Sequence, residues 1–94
     1  AYIYFYMARN YDKQNNLKLA ELFYKKAIKQ SQFPVEANYY IGMLYKYKKQ
    51  NLKKANLYFE KSQNYLIQGY KQQDSYIELF DEVYLTQINK EVGN

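Results

Sequence analysis

The chain has 94 residues and contains no cysteine and no histidine. Disulfides, Cys or His metal ligands, thiol chemistry and histidine acid–base catalysis are therefore excluded within it. No stretch approaches the roughly 18 consecutive apolar residues of a membrane span. The apolar start AYIYFYMA lacks the basic residues and cleavage site of a signal peptide. We therefore expect no membrane insertion and a cytoplasmic location, and we predict no cofactor, metal-binding or catalytic residue.

Glycine occurs three times and proline once, so few residues interrupt helices. Hydrophobic residues make up 48% of the chain, which argues against disorder, and tyrosine alone occurs 14 times. The net charge of +5 is unevenly spread, because residues 1–73 are basic while residues 74–94 are acidic. We expect the acidic end to lie against the basic body and screen its charge.

Apolar residues recur at the helical spacing of three and four, and strand alternation is absent. Asn16 and Asn51 are good N-caps, and Ser75 with Glu78 forms a capping box. The residue before Pro34 is expected to be extended and to end a helix. Five helices are predicted, with these apolar faces: Tyr4, Met7, Ala8 and Tyr11; Leu17, Ala20, Tyr24, Ala27 and Ile28; Ala37, Ile41, Gly42, Leu44 and Tyr45; Leu52, Ala55, Phe59, Ser62 and Leu66; and Tyr76, Leu79, Phe80, Val83, Tyr84 and Ile88.

The second and fourth predicted helices are near copies: NLKLAELFYKKA begins at Asn16 and NLKKANLYFEKS begins at Asn51. Ala20 and Ala55 therefore lie 35 positions apart. A helix pair repeated at this period is typical of a helical solenoid, because one pair cannot bury its apolar face alone.

At these residues the sequence resembles the tetratricopeptide repeat (TPR) family, including its Sel1-like branch. The first copy matches the family's large, small and aromatic positions with Tyr4, Met7, Ala8, Tyr11, Ala20, Tyr24 and Ala27; the second does so with Ile41, Gly42, Tyr45, Ala55, Phe59 and Ser62. The resemblance implies an all-α, right-handed α-solenoid of antiparallel helix pairs. Its parts would be a TPR-like repeat over 1–34, a second over 35–70, and a C-terminal capping helix or degenerate third repeat over 71–94.

The sequence also departs from the family pattern. Asn38 occupies a position that is usually a bulky aromatic, and the turn before Asn51 carries one extra residue. Pentatricopeptide repeats, which bind single-stranded RNA, share the period and remain an alternative. The second copy has Gly69 where that family would have proline.

The resemblance implies that a partner peptide or helix binds in the groove lined by the first helix of each repeat. The predicted groove residues are Tyr2, Phe5, Arg9, Asp12, Glu36, Tyr39, Met43 and Lys46. Tyrosine and arginine are frequent among the residues that dominate binding energy at interfaces. One branch of the family binds a peptide's C-terminal carboxylate with Lys, Asn and Arg side chains. Here Phe5 and Arg9 occupy the clamp positions of the first copy, and Tyr40 replaces an Asn in the second, so we do not predict such a clamp.

Two further surfaces are candidates for binding. Residues 1–8 are apolar on almost every side, so an upstream repeat, a partner or a second copy is expected to pack on them. A basic cluster interleaved with tyrosines could bind a polyanion such as RNA, but we favour its interpretation as a solvated turn. Its residues are Lys46, Lys48, Lys49, Lys53 and Lys54.

Glu78, Asp81 and Glu82 fall on one side of the last predicted helix, which we interpret as a solvated face. With no histidine and no nucleophile–base pair in sight, the sequence favours a non-catalytic protein–protein interaction scaffold rather than an enzyme. Because the chain begins at Ala1, we expect it to belong to a larger repeat protein or complex. The alternative function is a polyanion- or RNA-binding helical module that uses the lysine-rich turn at 46–54.

Overall fold

The computed structural model describes residues 3–31, 33–68 and 85–92. These form α1 (Ile3–Lys13), α2 (Leu17–Lys29), α3 (Pro34–Met43), a π-helical turn (Leu44–Lys48), α4 (Leu52–Ile67) and α5 (Leu85–Glu91). The prediction of an all-α fold is confirmed for this part of the chain, which contains no strand. None of its helices is long and apolar enough to cross a membrane.

Several sequence predictions lie outside the described residues. They include Tyr2, the capping box of Ser75 and Glu78, and the acidic side chains Asp81 and Glu82. The predicted fifth helix is described only at its end, as α5. Its one predicted core residue in this range is Ile88, which is fully buried.

The helices pack mainly with their neighbours along the chain. The most extensive contacts join α1 to α2 and α3 to α4, while α3 also packs on α2 and α5 on α4. The core lies between them, and its largest fully buried side chains are Tyr24, Phe5, Phe59, Ile41 and Leu44.

The second helix of each pair begins with the same local structure. The side chain of Asn16 accepts a hydrogen bond from the Leu19 amide, and that of Asn51 accepts one from the Lys54 amide. Each cap satisfies an amide that has no partner inside its helix. The residue before each cap, Asn15 or Gln50, has a positive φ of 59° or 52°. The duplicated sequence therefore encodes a duplicated turn.

The extra residue before Asn51 is absorbed by the π-helical turn at the end of α3. There the Lys49 amide donates to the Leu44 carbonyl, five residues earlier, at 3.0 Å. A π-turn is the usual way in which a helix accommodates one inserted residue. The insertion therefore leaves the cap at Asn51 intact and changes only the direction of the side chains in 44–48.

One backbone prediction is wrong. Phe33, which precedes Pro34, was expected to be extended, but it is left-handed, with φ 48° and ψ 61°. This conformation is costly for a bulky residue. The Phe33 side chain is only 6% exposed and its ring centroid lies 5.0 Å from that of Phe5, so burial offsets the backbone strain.

Two predicted apolar faces are corrected by the structure. In α1 the buried residues are Phe5, Ala8 and Asp12, whereas Tyr4, Met7 and Tyr11 are half-buried. Phe5 is the residue that packs against both α2 and α3, through Tyr24 and Tyr40, whereas Tyr4 and Tyr11 stack on Phe23 of α2. In α4, Leu52 was expected in the core but is 42% exposed.

Candidate interaction surfaces

The structure separates the predicted groove residues into two groups. Phe5, Asp12 and Glu36 are buried, so they offer no open surface to a partner in this structure. Arg9, Tyr39, Met43 and Lys46 are half-buried. The described part of the predicted groove is therefore narrower than the sequence indicated, and two of its four accessible residues belong to α3.

Phe5 is buried because α3 covers it. Its ring lies 5.0 Å from that of Phe33, which precedes α3, and 6.2 Å from that of Tyr40 within α3. Tyr39 occupies the corresponding position of the second helix pair, 34 residues later, and keeps part of its surface exposed. The same repeat position is thus a core site in α1 and a surface site in α3.

A group of half-buried side chains on α1 and α3 includes three planar ones that contact each other in series, Arg9, Tyr40 and Tyr39. The guanidinium carbon of Arg9 lies 3.8 Å from the centre of the Tyr40 ring, in a cation–π contact. The Tyr39 and Tyr40 rings meet edge to face at 5.3 Å. We call Arg9, Tyr39, Tyr40 and Met43 the aromatic strip; all four residues are half-buried.

A buried polar network lies beneath the aromatic strip. The Tyr24 hydroxyl donates to Oδ2 of Asp12 at 2.7 Å and accepts from Nη1 of Arg9 at 3.1 Å. Lys48 reaches the same aspartate, where its Nζ donates to the backbone oxygen and to Oδ1. Burial raises the pKa of Tyr24 well above its ordinary value, so its hydroxyl remains a donor. The network fixes Arg9 against Tyr40.

A second network joins α2 to the π-helical turn. Glu21 accepts hydrogen bonds from the Tyr45 hydroxyl and from Lys49, and from Lys25 at 3.0 Å. Desolvation acts to raise the pKa of Glu21, but the hydrogen bonds from Lys49, Tyr45 and Lys25 outweigh it and lower the pKa to about 2. Burial, together with the hydrogen bond to Glu21, raises the pKa of Tyr45 to about 12.

A third network attaches α5 to the π-helical turn. Lys46 Nζ donates to Oε2 of Glu91 at 2.9 Å and to its backbone oxygen at 3.1 Å. The Tyr47 hydroxyl donates to the same carboxylate at 2.6 Å. Asp12 and Lys46 share a repeat position, and each forms an ion pair with a residue later in the chain, Asp12 with Lys48 and Lys46 with Glu91.

These contacts change the interpretation of the basic cluster. Lys46, Lys48 and Lys49 are paired with carboxylates of Glu91, Asp12 and Glu21. The ammonium of Lys54 lies 5.5 Å from the centre of the Tyr45 ring, and the Lys53 side chain is exposed on α4. Most of the cluster therefore joins the π-helical turn to α1, α2 and α5, and much of its charge is neutralised by carboxylates of the same chain.

Glu21, Tyr24 and Tyr45 were not predicted as polar partners. Tyrosines at core spacing resemble apolar residues, and Glu21 lies 24 residues from Tyr45 in the sequence. The signal was present in the second helix of each pair: Tyr24 has a hydroxyl where its repeat counterpart Phe59 has none. The first helix of each pair also differs at the matching position: Asp12 accepts from Tyr24, whereas Lys46 in the second pair forms an ion pair with Glu91.

Among the described residues no group of three or more acidic, histidine or cysteine side chains could hold a metal ion. In comparisons with family models, curated protein sequences and solved structures, no match to this chain was found.

Proposed function

We propose that the chain is a TPR-like helical repeat protein, a right-handed α-solenoid of antiparallel pairs, that acts as a non-catalytic scaffold binding another protein. The observation that supports this proposal best is that the two helix pairs repeat the same contacts and not merely the same residues. A unit that repeats its contacts can stack on neighbours and present one continuous surface.

The repeated contacts are specific in geometry. Tyr11 stacks on Phe23 with ring centroids 5.6 Å apart, and their counterparts Tyr45 and Tyr58 also stack at 5.6 Å. The interplanar angles are 14° and 7°. A lysine covers each pair from the second helix: Lys26 lies 5.3 Å from the Phe23 ring, and Lys61 lies 5.1 Å from the Tyr58 ring.

The aromatic strip is the surface that best fits a peptide or a partner helix. Its rings are rigid, because Arg9 is held by Tyr24 and Asp12, and Tyr39 packs 6.0 Å from the buried Phe59. Rigid aromatic and arginine side chains lose little conformational entropy on binding and dominate many interfaces. A partner would bury its apolar side chains against Tyr39, Tyr40 and Met43 and place a polar or acidic group near Arg9.

The alternative of a polyanion-binding module is less favoured. Binding to phosphates requires lysines whose charge is available, and three of the five lysines in the cluster already pair with carboxylates. A polyanion would have to displace Glu91, Asp12 and Glu21 from these contacts.

The proposal is tested by selecting peptides from a displayed library on the immobilised chain and measuring their affinity for variants. Tyr39→Ala should weaken binding by about tenfold or more, as for a residue that dominates an interface. Leu22→Ala is the matched control, since Leu22 is an exposed apolar residue on α2 with 45% of its surface accessible, and it should leave affinity unchanged.

A parallel titration with an oligouridine RNA separates the two candidate functions. Salt-tolerant peptide binding that requires Tyr39 supports the scaffold. Peptides that bind equally well to Tyr39→Ala, or RNA binding that falls steeply with salt and requires Lys53 and Lys54, would contradict it.

A further inference from the structure

The internal repeat shows what covers one face of a first helix. Ala37 and Ile41 of α3, and Tyr45 of the π-helical turn that continues it, recur at a spacing of four residues and are at most 2% exposed. α3 packs on α2, which belongs to the preceding helix pair. The second helix of one pair therefore lies on the first helix of the next.

The contact between α2 and this side of α3 has a defined chemistry. Glu21 of α2 accepts a hydrogen bond from the Tyr45 hydroxyl and pairs with Lys49. Such a contact needs a carboxylate on the covering helix, because the tyrosine hydroxyl and the lysine both donate.

The same positions of α1 lie open. Ile3, Met7 and Tyr11 each stand 34 residues before Ala37, Ile41 and Tyr45. Ile3 is 60% exposed, and Met7 and Tyr11 are half-buried. Tyr11 nevertheless makes the stack on Phe23 that Tyr45 makes on Tyr58, so its ring is already held in the orientation that binds a carboxylate in the second pair.

We infer that this end face, formed by Ile3, Tyr4, Met7 and Tyr11, is a docking surface for an amphipathic helix of a partner protein that carries a carboxylate opposite the Tyr11 hydroxyl. The covering helix has the chemistry of α2, with apolar residues against Ile3 and Met7 and a glutamate or aspartate against Tyr11. The inference rests on the repeat architecture proposed above and is independent of binding at the aromatic strip.

The charges around the end face favour an acidic partner helix. Lys26 lies 5.5 Å from the Tyr4 ring and 5.3 Å from the ring of Phe23, on which Tyr11 stacks. Asp12, the nearest carboxylate in the sequence, is buried and bonded to Tyr24 and Lys48. The cation of Lys26 beside the end face therefore favours a partner helix that carries a carboxylate.

A second copy of the chain is a poorer occupant on what its described residues offer. Glu21, the carboxylate with the required position on a second helix, is already bonded to Tyr45 and Lys49. In α4 the corresponding residue is Asn56. α4 is itself packed against α5, where Ile88 is fully buried.

The test uses the full chain and a labelled, helix-stabilised peptide with the sequence of residues 16–30, followed by fluorescence anisotropy. The matched peptide carries Glu21→Gln, and the matched chains carry Tyr11→Phe or, as a control on the other helix pair, Tyr58→Phe. We expect the peptide to bind the wild-type chain and the Tyr58→Phe chain equally, and the Glu21→Gln peptide about tenfold more weakly.

The effects of Tyr11→Phe in the chain and Glu21→Gln in the peptide on the binding free energy should not be additive. If the carboxylate contacts the Tyr11 hydroxyl, Tyr11→Phe lowers the affinity for the wild-type peptide by a similar factor. In the Tyr11→Phe chain, the Glu21→Gln substitution in the peptide should then have almost no further effect on affinity. Absence of binding up to the solubility of the peptide would overturn the inference. Equal affinity of the peptide for the wild-type and Tyr11→Phe chains would also overturn it. So would self-association of the chain that is abolished by Ile3→Lys, because the end face would then bind a second copy.

Failure here is distinguishable from failure of the scaffold proposal. Tyr39→Ala should leave binding of the residue 16–30 peptide unchanged, while it weakens peptides selected on the aromatic strip. Loss of both activities on Tyr39→Ala would contradict the separation of the two surfaces.

Discussion

Gly42 of α3 faces the ring of Phe59 of α4 so closely that a Cβ at Gly42 would lie 2.6 Å from Cε1 of Phe59. Phe59 is fully buried and cannot move aside. The corresponding pair in the first repeat is Ala8 and Tyr24, both also fully buried. A small residue on the first helix therefore lets the aromatic ring of the second approach its backbone.

Gly42→Ala is expected to destabilise the fold, although alanine is the better helix former. The helix propensity gain is at most about 1 kcal/mol. Overpacking of a buried site costs about 1–3 kcal/mol. We expect a net loss of about 1–2 kcal/mol in the free energy of unfolding, measured by urea denaturation.

A second variant identifies the cause of this loss. In Phe59→Leu the ring is absent, so adding Gly42→Ala should then be neutral or stabilising. If Gly42→Ala stabilises the wild-type chain, the close approach is not present in solution.

Tyr24→Phe removes a hydroxyl that donates to Asp12 and accepts from Arg9, without changing the size of the ring. We expect a loss of about 1–3 kcal/mol, because Asp12 remains buried with one hydrogen bond fewer. Tyr58→Phe is the control, since the half-buried Tyr58 ring stacks on Tyr45. Equal effects of the two substitutions in thermal or urea unfolding would show that the buried network contributes nothing.

The hydrogen bonds to Glu21 should make the stability of the fold depend on pH in the acid range. The pKa of Glu21 in the fold is about 2, below the ordinary value of 4.5, because hydrogen bonds from Lys49, Tyr45 and Lys25 outweigh desolvation. The lowered pKa means that its stabilising effect is complete above pH 4.5 and is lost as the pH falls from there toward 2. Glu21→Gln should therefore be less stable than wild type at neutral pH, and the difference should shrink over this range.

Glu60→Gln serves as the control for this titration, because Glu60 is exposed on α4. Its stability should follow the wild-type pH curve from neutral pH into acid. A constant gap between Glu21→Gln and wild type at every pH would refute the assignment of the acid response to Glu21.

The residues before the two capping asparagines can be exchanged, Asn15 for glutamine and Gln50 for asparagine. Asn15 and Gln50 both have positive φ values, and asparagine tolerates this conformation better than glutamine does. Gln50→Asn should raise the free energy of unfolding by about 0.5–1 kcal/mol, and Asn15→Gln should lower it by a similar amount. Urea unfolding of both variants checks the prediction, and a change of the same sign in both would contradict it.

The local features of the fold could be predicted from the sequence because their causes are local. The caps at Asn16 and Asn51 depend on side chains three residues from the amides they bind. The buried series Ala20, Tyr24 and Ala27 follows from helical spacing alone. The internal repeat likewise predicted two matching helix pairs. In the structure both pairs have the same aromatic stack and the same asparagine cap.

Only the tertiary structure decided which side of each first helix is buried and which lysines form ion pairs with carboxylates. Spacing cannot say whether Phe5 or Tyr4 faces the core, because that depends on where α3 lies. Lys48 and Asp12 are 36 residues apart, and Lys46 and Glu91 are 45 apart, so no local pattern pairs them. By itself, the sequence determined the helices and their repeat, since these depend on near neighbours in the chain. The packing of helices determined the surfaces, because exposure and ion pairing depend on residues that are distant in sequence.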